Sequence, residues 1–399
     1  MEKLIYMDNA ATTSTAPEVV SAMLPFFTEY YGNPSSVYNF AQKSKMAIED
    51  AREIIADSIG AAKSNEIYFT GGGSESDNWA LKSVAFGLRD KGNHIITTKI
   101  EHHAILNTCA YLEKNGFEVT YLDVDSEGFV SLEDVENAIT EKTILISVMF
   151  ANNEIGTIEP VREIGEIAHK HGILFHTDAV QAMCHVPINV TEMNIDLLSA
   201  SAHKFHGPKG VGFMYMKNTA KLEPFIHGGA QERARRAGTS NVPGIVGMGQ
   251  AVKLALGTLD KDTHTIINMR NYIVDRILGE IPDVTFDGPC IDANADVNAV
   301  SVGLPMCSLK RLPSNMHFCF KDVSGDSLLI MLDMNGICAS SGSACAAGSI
   351  DPSHVLLAIG RSKGETKGAL RLSIDKDLTK EDADYAIDAL KAAVARLRR

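Results

Sequence analysis

Seven short apolar runs recur between residues 66 and 216: "EIYFT" (66–70), "HIITT" (94–98), "EVTYL" (118–122), "TILISVMF" (143–150), "ILFHT" (173–177), "DLLSAS" (196–201) and "GVGFMYM" (210–216). Most are apolar at successive positions, so strands built from them must be buried on both faces. Between many of them lie amphipathic stretches of helical period, at 75–90, 104–115, 131–140 and 160–171. Strand, helical crossover and strand in repetition predict an α/β fold with a mostly parallel seven-stranded sheet. After about residue 260 the pattern changes. A long helix candidate (262–280) precedes short strands near 284–287, 298–303 and 316–321, then helices at about 324–335 and 379–397. This reads as a smaller α+β domain. The expected division is a large domain over 15–260 and a small one formed by 1–14 and 261–399, with "MEKLIYMDNAATT" supplying a short strand.

Composition limits the function classes. A chain of 399 residues with 45% hydrophobic content can bury a large core, and at roughly 100–200 residues per domain it holds two or three domains. Its net charge of −13, from 37 basic and 50 acidic side chains, argues against a broad nucleic-acid footprint. The Arg233, Arg235, Arg236 cluster could still bind a small anion. Seven scattered cysteines without a C-x-x-C pair form neither a disulfide framework nor a zinc-finger spacing and fit a reducing compartment. The N-terminus lacks the apolar stretch of a signal peptide, and no run approaches the roughly 18 apolar residues of a membrane span. The expectation is a cytoplasmic protein with neither nucleic-acid nor membrane partners.

Three motifs carry chemistry. "IYFTGGGSESDNWALKSV" reads as a strand, three glycines and a helix opening at Ser74, with Ser74 and Asp77 resembling a capping box. Free N–H groups at such a helix start make an anion site, although the pattern matches neither G-x-x-x-x-G-K-[ST] nor G-x-G-x-x-G. "SASAHKFHGPKG" places Lys204 at a strand end, where an amine can form a Schiff base. "FHTDAVQ" ends another strand with Asp178 and Gln181, and a strand-end carboxylate can hold the pyridinium nitrogen of pyridoxal phosphate in its protonated form. Singly, each has an ordinary explanation: a turn, a solvated lysine, a strand-end acid. Together the anion cradle, the acid and the lysine specify pyridoxal 5'-phosphate.

With these residues in place, the sequence strongly resembles the cysteine desulfurases of the NifS/IscS type, within the class V aminotransferase family. The likeness runs through "YMDNAATT", "YGNPSS", "TGGGSESDN", "EHHAIL", "NNEIG", "HTDAVQ", "SAHKFHGPKG", "HGGAQERARRAGT" and "SSGSACAAGSIDPSHVLLAIG". It implies a homodimer of the pyridoxal-phosphate fold type I that takes sulfur from L-cysteine, leaves L-alanine and holds the sulfur as a persulfide. By the same resemblance Lys204 carries the cofactor, Asp178 pairs with the ring nitrogen, Gln181 bonds the ring hydroxyl and His102 stacks on the ring. The phosphate sits on Gly73, Ser74, Ser201 and His203, with Thr239 reaching in from the partner subunit. Asn153 and Arg371, with Asn33 nearby, hold the substrate carboxylate, and Cys345 is the nucleophile. The resemblance also implies a sulfur acceptor, such as an iron–sulfur scaffold protein of the NifU/IscU type, and lets Cys345 act as a transient metal ligand of a cluster shared with it. Alternatives are a selenocysteine lyase-type activity or a catalytically weak scaffold for iron–sulfur assembly partners.

The chain departs from the family's usual motifs at three points. "LSIDKD" follows Arg371 where many relatives carry Gly-Arg, "AMCHV" follows Gln181 where many carry Gly-Lys, and two alanines follow Cys345 where Thr or Ser is common. Around Cys345 the residues are small and polar. Gly342 and Gly348 permit wide backbone excursions, which suits a thiol that must meet substrate in one place and deliver sulfur in another. "DPSHVLLAIG" then predicts a helix capped by Asp351 or Ser353, with Pro352 in its first turn.

Overall fold

The computed structural model describes residues 4–220, 222–291, 309–342 and 352–399. The strand expected at 298–303, and Cys345 with Gly348 and Asp351, lie outside the described residues.

The short N-terminal strand forms as β1 (Ile5–Tyr6). All seven apolar runs then become strands: β2 (Ile67–Thr70), β3 (His94–Thr98), β4 (Glu118–Leu122), β5 (Thr143–Ser147), β6 (Leu174–Asp178), β7 (Leu197–Ser201) and β8 (Gly212–Met216). They join one sheet in the order β2-β8-β7-β6-β5-β3-β4. Every pairing is parallel except those of β8, which runs antiparallel to both β2 and β7. The carboxyl ends of β2, β3, β5, β6 and β7 therefore share one edge, where ligands bind in open α/β sheets. Every residue of β3, β5, β7 and β8 is buried, as their continuous apolar character requires. The covering helices form where the helical period places them. In Val161–Lys170 the buried Val161, Ile164, Gly165 and Ala168 make one stripe against the sheet.

The helix expected at 262–280 is longer: it runs unbroken over Val242–Glu280. Its first turns, "VPGIVGMGQA", carry three glycines and a proline, which weaken the helical signal in sequence. Those residues have local reasons. Pro243 sits in the first turn, and Asn241 caps the start by accepting from Gly244 N at 3.1 Å. A Cβ on Gly249 would come within 2.8 Å of Ala51 Cβ in the helix Asn39–Ser58, so only glycine permits this close approach. By length and composition the helix could cross a membrane, yet 44% of its most apolar stretch is buried inside the protein, against the helices Asn39–Ser58 and Pro17–Met23. It is a core helix.

Beyond it, β9 (Val284–Phe286), β10 (Asn315–Phe320), β11 (Ile337–Cys338) and β12 (Ala369–Ser373) follow. β12, β10 and β9 form an antiparallel sheet, and β1 pairs in parallel with β11. The helices expected at 324–335 and 379–397 form as Gly325–Asp333 and Lys380–Leu397. Ile5 and Met7 share a hydrophobic core with Ile273, Phe318, Leu370 and Leu390, separate from the core around Ile146, Phe175 and Phe213. The chain after β1 crosses back, because Thr13 N–H and Thr13 Oγ1 both donate to His203 O. This strap brings residues 9–15 over the carboxyl edge of the large sheet.

Candidate active site

A cavity of about 210 Å³ opens at that edge, and it gathers Gly73, Ser74, His102, Asn153, Asp178, Gln181, Ser201, His203, Lys204 and Arg371. The helix entering it begins at Gly73, one residue earlier than the sequence suggests, and its N-cap is Gly72, with no side-chain cap. The capping box expected of Ser74 and Asp77 does not form. Ser74 is exposed, whereas Asp77 is 1% exposed and turned inward. The first helical bond runs from Ser76 N to Gly72 O at 3.2 Å, so the amides ahead of it face out of the positive helix end. A Cβ on Gly72, whose φ is +150°, would stand 3.6 Å from Ser201 Oγ. Glycine thus keeps open the space between the helix start and β7.

Asp178 ends β6 and is 5% exposed, with Oδ1 accepting from Val180 N at 2.9 Å. Ligating atoms of Asp77, His102 and Asp178 all lie within 4.8 Å of one another. Burial pushes both carboxyls upward, but the positive charge of Lys204 opposes the rise at Asp178, as does the hydrogen bond from Val180 N. Asp77 is driven well above the usual range by burial and by the Asp178 charge. Of the two, Asp77 holds the proton and Asp178 holds the charge. His102 caps the helix His103–Glu113, its Nδ1 accepting from Ala104 N at 3.1 Å. The ring proton therefore sits on Nε2. Burial, with the Lys204 charge, lowers its pKa and keeps it neutral. Glu101, buried beside it, accepts from Thr98 Oγ1 and Met149 N and is held protonated by burial.

Lys204 follows β7 and donates from Nζ to Ala10 O (2.6 Å) and Ala11 O (2.9 Å) of the strap. Gln181 Nε2 donates to the same Ala10 carbonyl at 2.9 Å. His203 bonds Thr12 Oγ1 through Nδ1 at 3.1 Å, and burial with the Lys204 and Lys209 charges lowers its pKa to about 4. Arg371, on β12, is 1% exposed. Its Nη2 meets Asp8 Oδ1 at 2.8 Å, its Nη1 donates to Asn153 O at 3.0 Å, and its buried Nε–H has no partner among the described residues. Asn153 thus serves Arg371 with its carbonyl and lines the cavity with the rest of the residue.

Two expected residues are not brought to this cavity within one chain. Asn33 is exposed and closes a local turn, accepting from Ser35 N at 3.0 Å. Thr239 is also exposed and lines a separate cavity of about 170 Å³ beside Gly71. In the arginine cluster, Arg236 pairs with Glu75 at 2.8 Å and Arg233 donates to Asn65 O and Ile67 O. Sequence reasoning missed Asp8, Asp77 and Glu101 as members of the site, although "YMDNAATT", "TGGGSESDN" and "EHHAIL" contain them.

The aminotransferase class-V family model matches residues 5–386. The chain belongs to this family. It is 54% identical over 398 residues to "Cysteine desulfurase IscS" of Clostridium botulinum, covering 100% of this chain and 96% of that one. A solved "NifS-like protein" matches with a TM-score of 0.89 at 36% identity, over 99% of this chain and 100% of that one. A structure described as "SspA in complex with cysteine" matches with a TM-score of 0.78 at 38% identity, over 93% and 99%. The fold is that of the NifS-like pyridoxal-phosphate enzymes, and the cofactor of the family is pyridoxal 5'-phosphate. The residues present suit it: a helix start kept open at Gly72 for the phosphate, a buried carboxylate at Asp178 for the ring nitrogen, and Lys204 Nζ at the cavity wall.

Proposed function

We propose that the protein is a cysteine desulfurase, taking sulfur from L-cysteine, releasing L-alanine and holding the sulfur on Cys345. The observation that carries this reading is the cavity itself, which unites an anion cradle, a buried carboxylate, a neutral imidazole, a lysine and a buried arginine from five chain segments. The names of its relatives agree with it. Bound pyridoxal phosphate would supply the electron sink for bond breaking next to the α-carbon of cysteine.

The chain's own residues supply the rest. Gly73, Ser74, Ser201 and His203 hold the phosphate, and Thr239 completes this cradle from a second copy of the chain. Asp178, kept charged because its neighbour Asp77 takes the proton, holds the ring nitrogen in its protonated form. Gln181 is held by Ala10 and presents its amide oxygen to the ring hydroxyl. Lys204 Nζ anchors the cofactor, then accepts and returns the α-proton. His102 offers a neutral ring face with its proton on Nε2. Arg371, with Asn153 and Asn33, receives the substrate carboxylate, and its unpartnered Nε–H is a donor already in place. The Cys345 thiolate attacks the substrate sulfur: an S–S bond forms as the C–S bond breaks, leaving a persulfide. Among the described cysteines, Cys109, Cys184, Cys319 and Cys338 are pushed up by burial and stay thiols. We further infer a cytoplasmic homodimer, the domain division 15–260 against 1–14 with 261–399, and an acceptor protein such as an iron–sulfur scaffold of the NifU/IscU type.

The test uses holoenzyme and its Cys345→Ala variant. Cysteine should add one sulfur mass to the Cys345 peptide of the wild type, released by a reducing thiol. The variant should retain cofactor but nearly cease to make alanine. Added sulfur on Cys338, or sustained alanine production by the variant without external thiol, would refute the assignment.

A further inference from the structure

A larger cavity, of about 510 Å³, shares Ala10, Gln181 and Lys204 with the active-site cavity and lies between the strap, the long core helix and the end of β12. Two of the points at which the motifs depart from the family meet there: Cys184 and His185 after Gln181, and Asp375 and Lys376 after Arg371. His206, two residues beyond Lys204, stands among them.

The contacts of His206 favour its protonated form. Its Nδ1 lies 3.0 Å from the carbonyl oxygen of Ser14, and its Nε2 lies 3.2 Å from Asp375 Oδ2. The carbonyl can only accept, so Nδ1 donates, and a carboxylate at ion-pair distance from the other nitrogen favours the imidazolium over the neutral ring. The residue also has φ of +61°, a left-handed state uncommon for any residue bearing a Cβ. Its N–H is held there by Thr13 Oγ1 at 2.8 Å. Three segments thus meet on one cation: the strap whose carbonyls hold Lys204 Nζ, the turn that carries Lys204, and the chain four residues past Arg371.

We propose that protonated His206, bridging Ser14 and Asp375, is a positioning residue that sets the placement of Arg371 relative to Lys204. Affinity for the substrate carboxylate then falls when the imidazole loses its proton. The proposal rests on the roles given above to Lys204 and Arg371. The groups facing His206 agree with a cation that survives near neutrality. Asp375 and the Ser14 carbonyl raise its pKa above the ordinary 6.5, against burial and the Lys376 charge. Neutral His185 donates instead to Lys204 O at 3.0 Å. Lys376 is partly neutralised by Asp262 at 2.7 Å, Lys209 donates to Thr13 O, and Glu18 and Asp377 complete the charged lining.

The test has two readouts on the holoenzyme. In protein carrying isotope-labelled histidine, the His206 ring, assigned by its loss in His206→Asn, should titrate above pH 6.5 and move below that value in Asp375→Asn. The KM for L-cysteine should rise about threefold relative to wild type in Asp375→Asn below the wild-type midpoint, the size of coupling in a partly exposed ion pair. The two should converge above it, with kcat within twofold throughout. Asp375→Glu should restore the wild-type profile, and Asp377→Asn should follow it. If Asp375→Asn does not fold, His206→Asn, which tolerates the left-handed backbone, carries the same expectation. A His206 midpoint at or below 6.5, or superimposable KM profiles, overturns the proposal, even where the variant melts earlier. A cofactor adduct on a lysine other than Lys204 would instead overturn the functional reading on which it rests.

Discussion

The pairing of Arg371 with Asp8 makes a prediction whose size follows from the structure. Nη2 and Oδ1 are 2.8 Å apart, with the arginine side chain 1% exposed and the aspartate 17%. At an effective dielectric of about 20, their attraction is about 6 kcal/mol. Desolvation offsets much of it, and deleting one partner of a buried pair costs about 3–5 kcal/mol. Water reaching Asp8 lowers this to about 2 kcal/mol for Asp8→Asn. For a chain of 399 residues that loss corresponds to roughly 2 °C in Tm. A ligand carboxylate can replace the missing one, so the deficit should shrink when L-alanine is bound. The affinity for L-alanine should accordingly rise, by up to about thirtyfold if the whole 2 kcal/mol returns. The assay is thermal unfolding of the holoenzyme and of Asp8→Asn across a titration of L-alanine, with Kd measured from the same series. The reasoning fails if the variant binds L-alanine no better than the wild type, because Asp8 would then be orienting Arg371 rather than competing for it.

Two further outcomes are expected. In Lys204→Ala, borohydride treatment should leave no covalent cofactor adduct at position 204, whereas the wild type should carry it on the peptide containing Lys204; an adduct on Lys209 in the wild type would refute the assignment. Glu159 is 3% exposed and is pushed by burial from 4.5 to about 8, so the folded chain keeps a proton that the unfolded chain releases and stability falls as pH rises through that interval. Glu159→Gln, followed by denaturant unfolding, should be nearly neutral at pH 5 and more stable than wild type by roughly 3 kcal/mol at pH 8; parallel pH profiles would contradict the buried-proton assignment.

What could be read from sequence follows from what is local. Strands buried on both faces declare themselves as continuous apolar runs, which is why all seven strands of the large sheet and their crossover helices were legible. Lys204, Asp178 and the glycines before Ser74 were legible because a strand end is a local feature and each residue type suits only certain chemistry there. The long core helix was half hidden because glycines in its first turns serve contacts far away in sequence, Gly249 with Ala51 and Gly247 with Met23. The same distinction explains the misreading of Asp77. Its spacing from Ser74 fits a capping box, and only the arrival of β6 and the His102 turn shows that it faces Asp178 instead. Asp8 is the extreme case. Nothing within "YMDNAATT" says that its carboxylate will meet a guanidinium 363 residues later. Yet that long-range meeting decides the electrostatics of the site. A buried arginine facing an empty pocket would carry an uncompensated charge, so the chain supplies its own carboxylate where the substrate's carboxylate is proposed to go. On the role proposed for Arg371, substrate recognition is an exchange of one carboxylate for another, with the Asp8 carboxylate already compensating the buried guanidinium.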